Sequence, residues 1–398
     1  MEYPVKKLSI EEIAKEQFCP ASPTIYEIMW DETKYEFLIN HVPGAGKMAA
    51  FGTGTVNRAR GLPDFKRNSW HPDIKVTSIW YADPTLYEGN LALYWYYGTN
   101  KRWHLKNIAF ILAVICQKNG YSLEDSLLFG SSGGGYSSLV LATLLHGKAY
   151  VINPQIFLFN YFPDHYEKFL KDVLDAKEKP VEERVNIISL FKKERYLPRI
   201  HYVQNMQSIR DVRMQVIPFL KDISEKQMNC QDVLSMEYFY LPGGHNSMPD
   251  KDTSLELINR GLDDKKRGVA IAGKKNDKHC TFFERISRAD LKNPTAYLFF
   301  DELEGFDEAL VNTSLKFADN KLSYALELAG KAPAGYTFSF YLQSGQSVVD
   351  RIPYSTKTEA EFALPAPGTY RVKCFVLRGK TKTTFMSEEI AVKADDFK

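Results

Sequence analysis

The chain has 398 residues, 44% hydrophobic and 25% charged, an ordinary globular composition with room for two or three domains and a large core. Its formal net charge of +2 excludes a global field that would favour nucleic acid, a membrane surface or an acidic partner. The basic clusters at 265–267 and 274–275 are short enough to read as solvated surface. The five cysteines, Cys19, Cys116, Cys230, Cys280 and Cys374, are odd in number and show no CxxC spacing. That argues against a disulfide framework or a cysteine zinc site, and no metal is expected. The first eighteen residues, MEYPVKKLSIEEIAKEQF, are polar where a signal peptide is apolar. The longest apolar run, 108–116, is far too short to span a bilayer. These features predict a cytoplasmic protein with no membrane span, peripheral at the inner face of the membrane at most.

From residue 1 to about 262, short apolar runs alternate with helical stretches. Strands are predicted at 35–40, 48–52, 76–81, 126–130, 149–153, 200–204 and 237–241. Helices are predicted at 101–119, 135–146, 164–175, 180–193, 211–222 and 252–261. Strands separated by helices of this length imply parallel βαβ units, and the runs at 126–130 and 149–153 are apolar throughout, as in a sheet covered on both faces. At 155–198 two amphipathic helices sit where the next strand should come, an insertion that would make a lid; a surface excursion away from the site is the plainer alternative. A charged connector follows at 263–293. From 294 to 398 helical patterns give way to seven short strands, at 296–300, 314–318, 322–328, 337–342, 361–364, 368–377 and 389–393. That rhythm describes an immunoglobulin-like sandwich, with Tyr370 placed where a tyrosine corner would stand.

The chemistry concentrates at Gly130-Ser131-Ser132-Gly133-Gly134, which matches G-x-S-x-G with an apolar strand before it and a helix after it. The turn is so tight that side chains two residues either side of the serine would collide, and it leaves the Ser132 hydroxyl at a helix N-terminus, where negative charge is favoured. Neither a P-loop nor a G-x-G-x-x-G dinucleotide motif is matched. Ser131 is the weaker nucleophile, because the glycines flank Ser132 symmetrically, and is kept as a substrate-binding candidate. A serine needs a base. His245, in Pro242-Gly243-Gly244-His245 after the last predicted strand, is the candidate; the other seven histidines lack that setting. The only carboxylate in the turn after strand 200–204 is Asp211, the candidate orienting acid, with helix capping as its alternative role and an acid-free dyad as the other possibility. Oxyanion donors are expected from the N–H of Gly133 and from the loop Gly52-Thr53-Gly54, with Val42-Pro43-Gly44-Ala45-Gly46 as a rival that reads more simply as a turn. Asp83 follows a strand end and would either touch substrate or cap its turn. The aromatic run Tyr94-Trp95-Tyr96-Tyr97 would stack on sugar rings or, more ordinarily, fill core.

Over roughly residues 47–260 the chain resembles a group of α/β-hydrolase-fold bacterial surface-glycan proteins, the capsular polysaccharide O-acetyltransferases and accessory secretion acetyltransferases. The resemblance rests on Leu62-Pro63-x-Phe65-x-Arg67-x-Ser69-Trp70, Ala82-Asp83-Pro84-Thr85, the serine turn, Ile152-Asn153-Pro154-Gln155, Tyr202-Val203-Gln204-Asn205 and Gly244-His245-Asn246. It implies Ser132 and His245 as catalytic residues and acetyl transfer, with acetyl-CoA as donor, to a polysaccharide hydroxyl. An esterase with the same residues and a non-catalytic scaffold with a relic serine turn are the alternatives. Other glycan-biosynthesis enzymes are the implied partners of the C-terminal region. One position departs from the pattern: similar proteins carry Asp three residues after the Gln-Asn pair, where this chain has Ser208.

Overall fold

The computed structural model describes residues 3–30, 32–100, 102–225, 228, 230–271, 281–288, 310–328, 336–378 and 381–397. These fall into two compact units that divide between Phe283 and Glu284. Of the predicted connector, 263–271 and 281–283 therefore go with the first unit and 284–288 with the second. The rest of the connector and the predicted strand 296–300 lie outside the described residues. Among the described residues no helix is long and apolar enough to cross a membrane.

The first unit is built on nine strands: β1 (Val5–Ser9), β2 (Thr24–Trp30), β3 (Thr33–Asn40), β4 (Met48–Gly52), β5 (Thr77–Tyr81), β6 (Leu127–Ser131), β7 (Lys148–Ile152), β8 (Arg199–Asn205) and β9 (Leu234–Phe239). Their order across the sheet is β1-β2-β3-β5-β4-β6-β7-β8-β9. Only β3 runs antiparallel to its neighbours; every other pairing is parallel. With β1 as an extra edge strand, this is the α/β-hydrolase sheet. Its crossed order, β5 outside β4, brings the C-terminal ends of β4 and β6 side by side.

Helices α1 (His104–Asn119), α2 (Gly133–Leu145), α3 (Pro163–Val173), α4 (Ile187–Lys193), α5 (Ile217–Glu225) and α6 (Lys251–Asp263) cover the sheet and its loops. Strand alternation sorts the two faces. Leu127 and Phe129 point into one core cluster with Leu257, Ile258 and Leu262 of α6. Gly130, next in the strand and on the opposite face, lies under α2, so close that a Cβ there would stand 2.8 Å from Ser138 Oγ. The helix expected at 180–193 starts only at Ile187, because Asn186 caps it by accepting from the N–H of Ile188 and Ser189; a single 3-10 turn, Glu182–Arg184, precedes it.

In the second unit, β10 (Leu310–Ala318), β11 (Lys321–Leu328) and β14 (Glu359–Ala363) form one antiparallel sheet. The other contains β12 (Tyr336–Ser344), β13 (Ser347–Ser355), β15 (Gly368–Arg378) and β16 (Thr381–Met386), with β17 (Ile390–Val392) paired to the start of β15. Leu322, Tyr324 and Leu326 of the first sheet and Phe338, Phe340, Val372 and Cys374 of the second share one core. This is an immunoglobulin-like sandwich, and Tyr370 Oη donates to the carbonyl of Ala366 at 2.7 Å, the expected tyrosine corner.

Candidate active site

Strand β6 ends at Ser131 and α2 begins at Gly133. The single residue between them, Ser132, takes φ 56° and ψ −125°, a strained conformation for a side chain with a Cβ. The turn closes because its flanks are glycine. A Cβ on Gly130 would stand 2.2 Å from the Gly134 carbonyl oxygen, and one on Gly134 would stand 2.4 Å from that of Gly52.

Three side chains from three strand-end loops meet at this turn. His245 lies on a short 3-10 turn after β9, and its Nε2 is 2.8 Å from Ser132 Oγ. His245 Nδ1 is 2.6 Å from Asp211 Oδ2. An ionised carboxylate only accepts, so Nδ1 carries the ring proton and Nε2 of the neutral ring accepts from the Ser132 hydroxyl. Asp211 makes no capping hydrogen bond. Its Oδ2 instead accepts a second bond, from Ser208 Oγ at 2.6 Å. The displaced acid thus has a geometric explanation. Side chains on a helix lean toward its N-terminus, so a carboxylate at 211 reaches back over the turn beginning at Ser208. A π-turn, Val212–Val216, follows immediately, a form frequent at functional sites.

The loops that carry the acid and the histidine are tied together by two buried asparagines. Asn205 Nδ2 donates to the carbonyls of Leu241 and Gly244, both at 2.9 Å, and its Oδ1 accepts from the N–H of Gln207 and Leu241, both at 3.1 Å. Asn153, held at φ 43°, accepts from the Asn205 N–H at 2.7 Å and donates to the His245 carbonyl at 3.3 Å. Gln155 adds a third amide, with Nε2 3.4 Å from Ser132 Oγ while its Oε1 accepts from the Trp95 indole N–H. The sequence displays all three only as parts of the quoted motifs; that buried amides must be satisfied by something nearby is the signal that could have singled them out.

The expected oxyanion donors separate. Gly133, first residue of α2, has no intrahelical partner for its N–H. It abuts Gly54, where a Cβ would stand 3.5 Å from the Gly133 nitrogen. Gly54 lines the cavity in front of Ser132. Gly52 and Thr53 do not: the Thr53 N–H is committed to Tyr96 Oη at 2.7 Å, and Gly52 is pressed against α2 beneath the turn. The rival glycines Gly44 and Gly46 stand in open space, away from the cavity.

Asp83 likewise does not contact the cavity. It is buried, accepts from the N–H of Thr85 at 2.9 Å and of Tyr96 at 2.8 Å, and burial pushes its carboxyl up to about 6. Tyr96 in turn brackets Thr53, accepting its N–H and donating to its carbonyl at 3.0 Å. Asp83 therefore fixes the loop that ends in Gly54 from behind. Tyr94, Trp95, Tyr96 and Tyr97 are all buried, so the aromatic run is core and offers no platform for sugar.

The cavity measures about 810 Å³. The insertion at 155–198 supplies Asn160, Tyr161 and Phe162 to its wall, the π-turn supplies Met214, and Ser131 and Arg67 flank the serine turn.

No family model and no curated protein matches the chain. Among solved structures it is similar to the capsule O-acetyltransferase of Neisseria meningitidis serogroup A, at 14% identity, 58% of this chain, 93% of that chain and a TM-score of 0.40. It is also similar to an S-formylglutathione hydrolase from Agrobacterium tumefaciens, at 11% identity, 60% of this chain, 91% of that chain and a TM-score of 0.41. A third is LpqC, a poly(3-hydroxybutyrate) depolymerase from Bordetella parapertussis, at 15% identity, 62% of this chain, 98% of that chain and a TM-score of 0.42.

Proposed function

We propose that the protein is a serine acyltransferase that moves an acetyl group from acetyl-CoA to a hydroxyl of a bacterial surface polysaccharide or its precursor. One observation carries the acyl-transfer reading: the unbroken series from Ser132 Oγ to His245 Nε2, at 2.8 Å, and from His245 Nδ1 to Asp211 Oδ2, at 2.6 Å. Ser132 Oγ attacks the thioester carbonyl while its proton passes to His245 Nε2. The negative oxygen that forms is met by the N–H groups of Gly133 and Gly54. The thiolate leaves with the proton from His245, and Ser132 is acylated. An acceptor hydroxyl then gives its proton to His245, its oxygen takes the acyl carbon, and Ser132 regains its proton. Asp211 keeps Nδ1 protonated and stabilises the transient imidazolium.

An esterase is the second reading, since the same three residues serve hydrolysis when water entering the cavity before Ser132 takes the acceptor's place. The two separate by experiment. The protein is incubated with acetyl-CoA or a chromogenic acetyl ester, with and without glycan, and the products are read by NMR. Acceptor-dependent turnover with an acetylated glycan supports transfer; acceptor-independent release of acetate with no acetylated glycan overturns it in favour of the esterase.

A further inference from the structure

Among the described residues Arg67 is a cation without an anion. Its backbone is held at φ 65° just ahead of a 3-10 turn, Asn68–Asp73, and its guanidinium lies 5.4 Å from the ring centre of Trp70 and 5.7 Å from that of Phe129. Among the described residues its guanidinium makes one hydrogen bond, from NH2 to Ser131 Oγ at 2.9 Å. Among the described residues no carboxylate pairs with it. Desolvation lowers its pKa only to about 10, so it stays charged at neutral pH. A guanidinium taken out of water is ordinarily paired, because such a charge without a partner is costly.

The other charges on the cavity wall are engaged. Lys66 pairs with Asp64 at 2.6 Å, and Arg210 donates to the carbonyls of Asn160 and Tyr161 and covers the Phe162 ring. The wall's single carboxylate among the described residues, Asp211, is held by His245 and Ser208. What remains is a planar, multiply donating cation, fixed by aromatic rings and by the neighbour of the nucleophile, facing the same cavity as Ser132.

We infer that Arg67, with Ser131, forms an anion subsite beside the nucleophile and selects substrates that carry a carboxylate close to the reacting ester. Guanidinium geometry suits a carboxylate, which can take two parallel N–H bonds. The inference rests on the acyl-transfer reading above. A carboxylate on the accepting sugar, a uronic acid for instance, keeps acetyl as the group transferred, whereas one on the acyl group would replace acetyl by a dicarboxylic acyl such as succinyl, and the test separates the two.

Two matched pairs of compounds do so. p-Nitrophenyl hemisuccinate against p-nitrophenyl butyrate puts the charge on the acyl side. Methyl glucuronide against methyl glucoside, with p-nitrophenyl acetate as donor, puts it on the acceptor. In the wild-type protein the anionic member of at least one pair should be preferred by about 10-fold or more in kcat/KM. Arg67→Met should remove that preference while leaving the neutral member within about threefold, and Arg67→Lys should restore part of it. If Arg67→Met does not fold, succinate and succinamide are compared in the wild-type protein for slowing the labelling of Ser132 by a neutral fluorophosphonate; only succinate should protect. No preference in either pair, equal protection, or an equal loss on both members in Arg67→Met overturns the subsite. Continued labelling of Ser132 in those cases would leave the acyl-transfer reading standing, whereas absent labelling would remove that reading itself.

Discussion

Asp211→Asn isolates the orienting role of the acid. Asp211 Oδ2 accepts from both His245 Nδ1 and Ser208 Oγ at 2.6 Å. An asparagine can meet that arrangement in two ways. With its NH2 toward His245, Nδ1 must become the acceptor, the proton moves to Nε2, and Ser132 faces a donor; a comparable change elsewhere costs roughly 10⁴ in kcat, about 5.5 kcal/mol. With its carbonyl toward His245 the tautomer survives but the charge opposite the imidazolium is gone. Two unit charges at that separation interact by about 6 kcal/mol at an effective dielectric near 20. Since the His245 side chain is 27% exposed, solvent screens much of this, and about 10²-fold is the floor. Initial rates on p-nitrophenyl acetate, with thermal unfolding to establish that the variant is folded, should therefore fall between about 10² and 10⁴. Ser208→Asp added to Asp211→Asn should recover about tenfold, by restoring a carboxylate at the start of the same turn. A folded Asp211→Asn protein within about threefold of wild type would refute the acid assignment.

Asn205→Ala removes four hydrogen bonds, three of which join the acid and histidine loops; it should cost about 2–4 kcal/mol in stability by denaturant titration and at least tenfold in kcat, and unchanged kcat would mean the loops hold their places without it. A chain ended after Ser287 should keep ester turnover, whereas one ended at Asp264 should lose stability, because Phe282 N–H donates to the Glu194 carboxylate at 2.6 Å and Phe283 stacks on His146; equal melting temperatures would contradict this. Burial raises the Asp83 carboxyl to about 6, so its contribution to stability is fully present below the unfolded value of about 4 and is lost as pH rises through 6. Asp83→Asn should flatten that part of the unfolding profile against pH, and an unaltered profile would show that Asp83 is not the group responsible.

Much of the first unit was readable because its inner strands are apolar on both faces and the serine turn announces itself through glycines that have no other reason to cluster. The first two strands are not among those the sequence predicts. β2 carries a legible alternation of buried Tyr26, Ile28 and Trp30, while β1 is an exposed edge strand without one. In the sandwich, β13 and β16 are not among the predicted strands; β13 is exposed along most of its length and contains Pro353, so neither burial nor propensity marks it. Asp211 could be singled out as the lone carboxylate of its turn, but its reach back past Ser208 depends on helix geometry that spacing alone does not convey. The cross-links made by Asn153, Gln155 and Asn205, and the Asp83–Tyr96–Thr53 relay, are contacts between residues distant in the chain, and no local pattern encodes them. Arg67 is visible in the sequence only as a motif residue; that no carboxylate among the described residues pairs with it is a property of the folded cavity.

The central claim is that Ser132 is a nucleophile activated by His245. Intact-mass analysis after treatment with a neutral fluorophosphonate tests it most directly. One covalent adduct is expected, mapped to Ser132, absent in Ser132→Ala and formed at least about 10²-fold more slowly in His245→Ala. A folded wild-type protein that takes no label, or one whose label persists undiminished in Ser132→Ala, would contradict it.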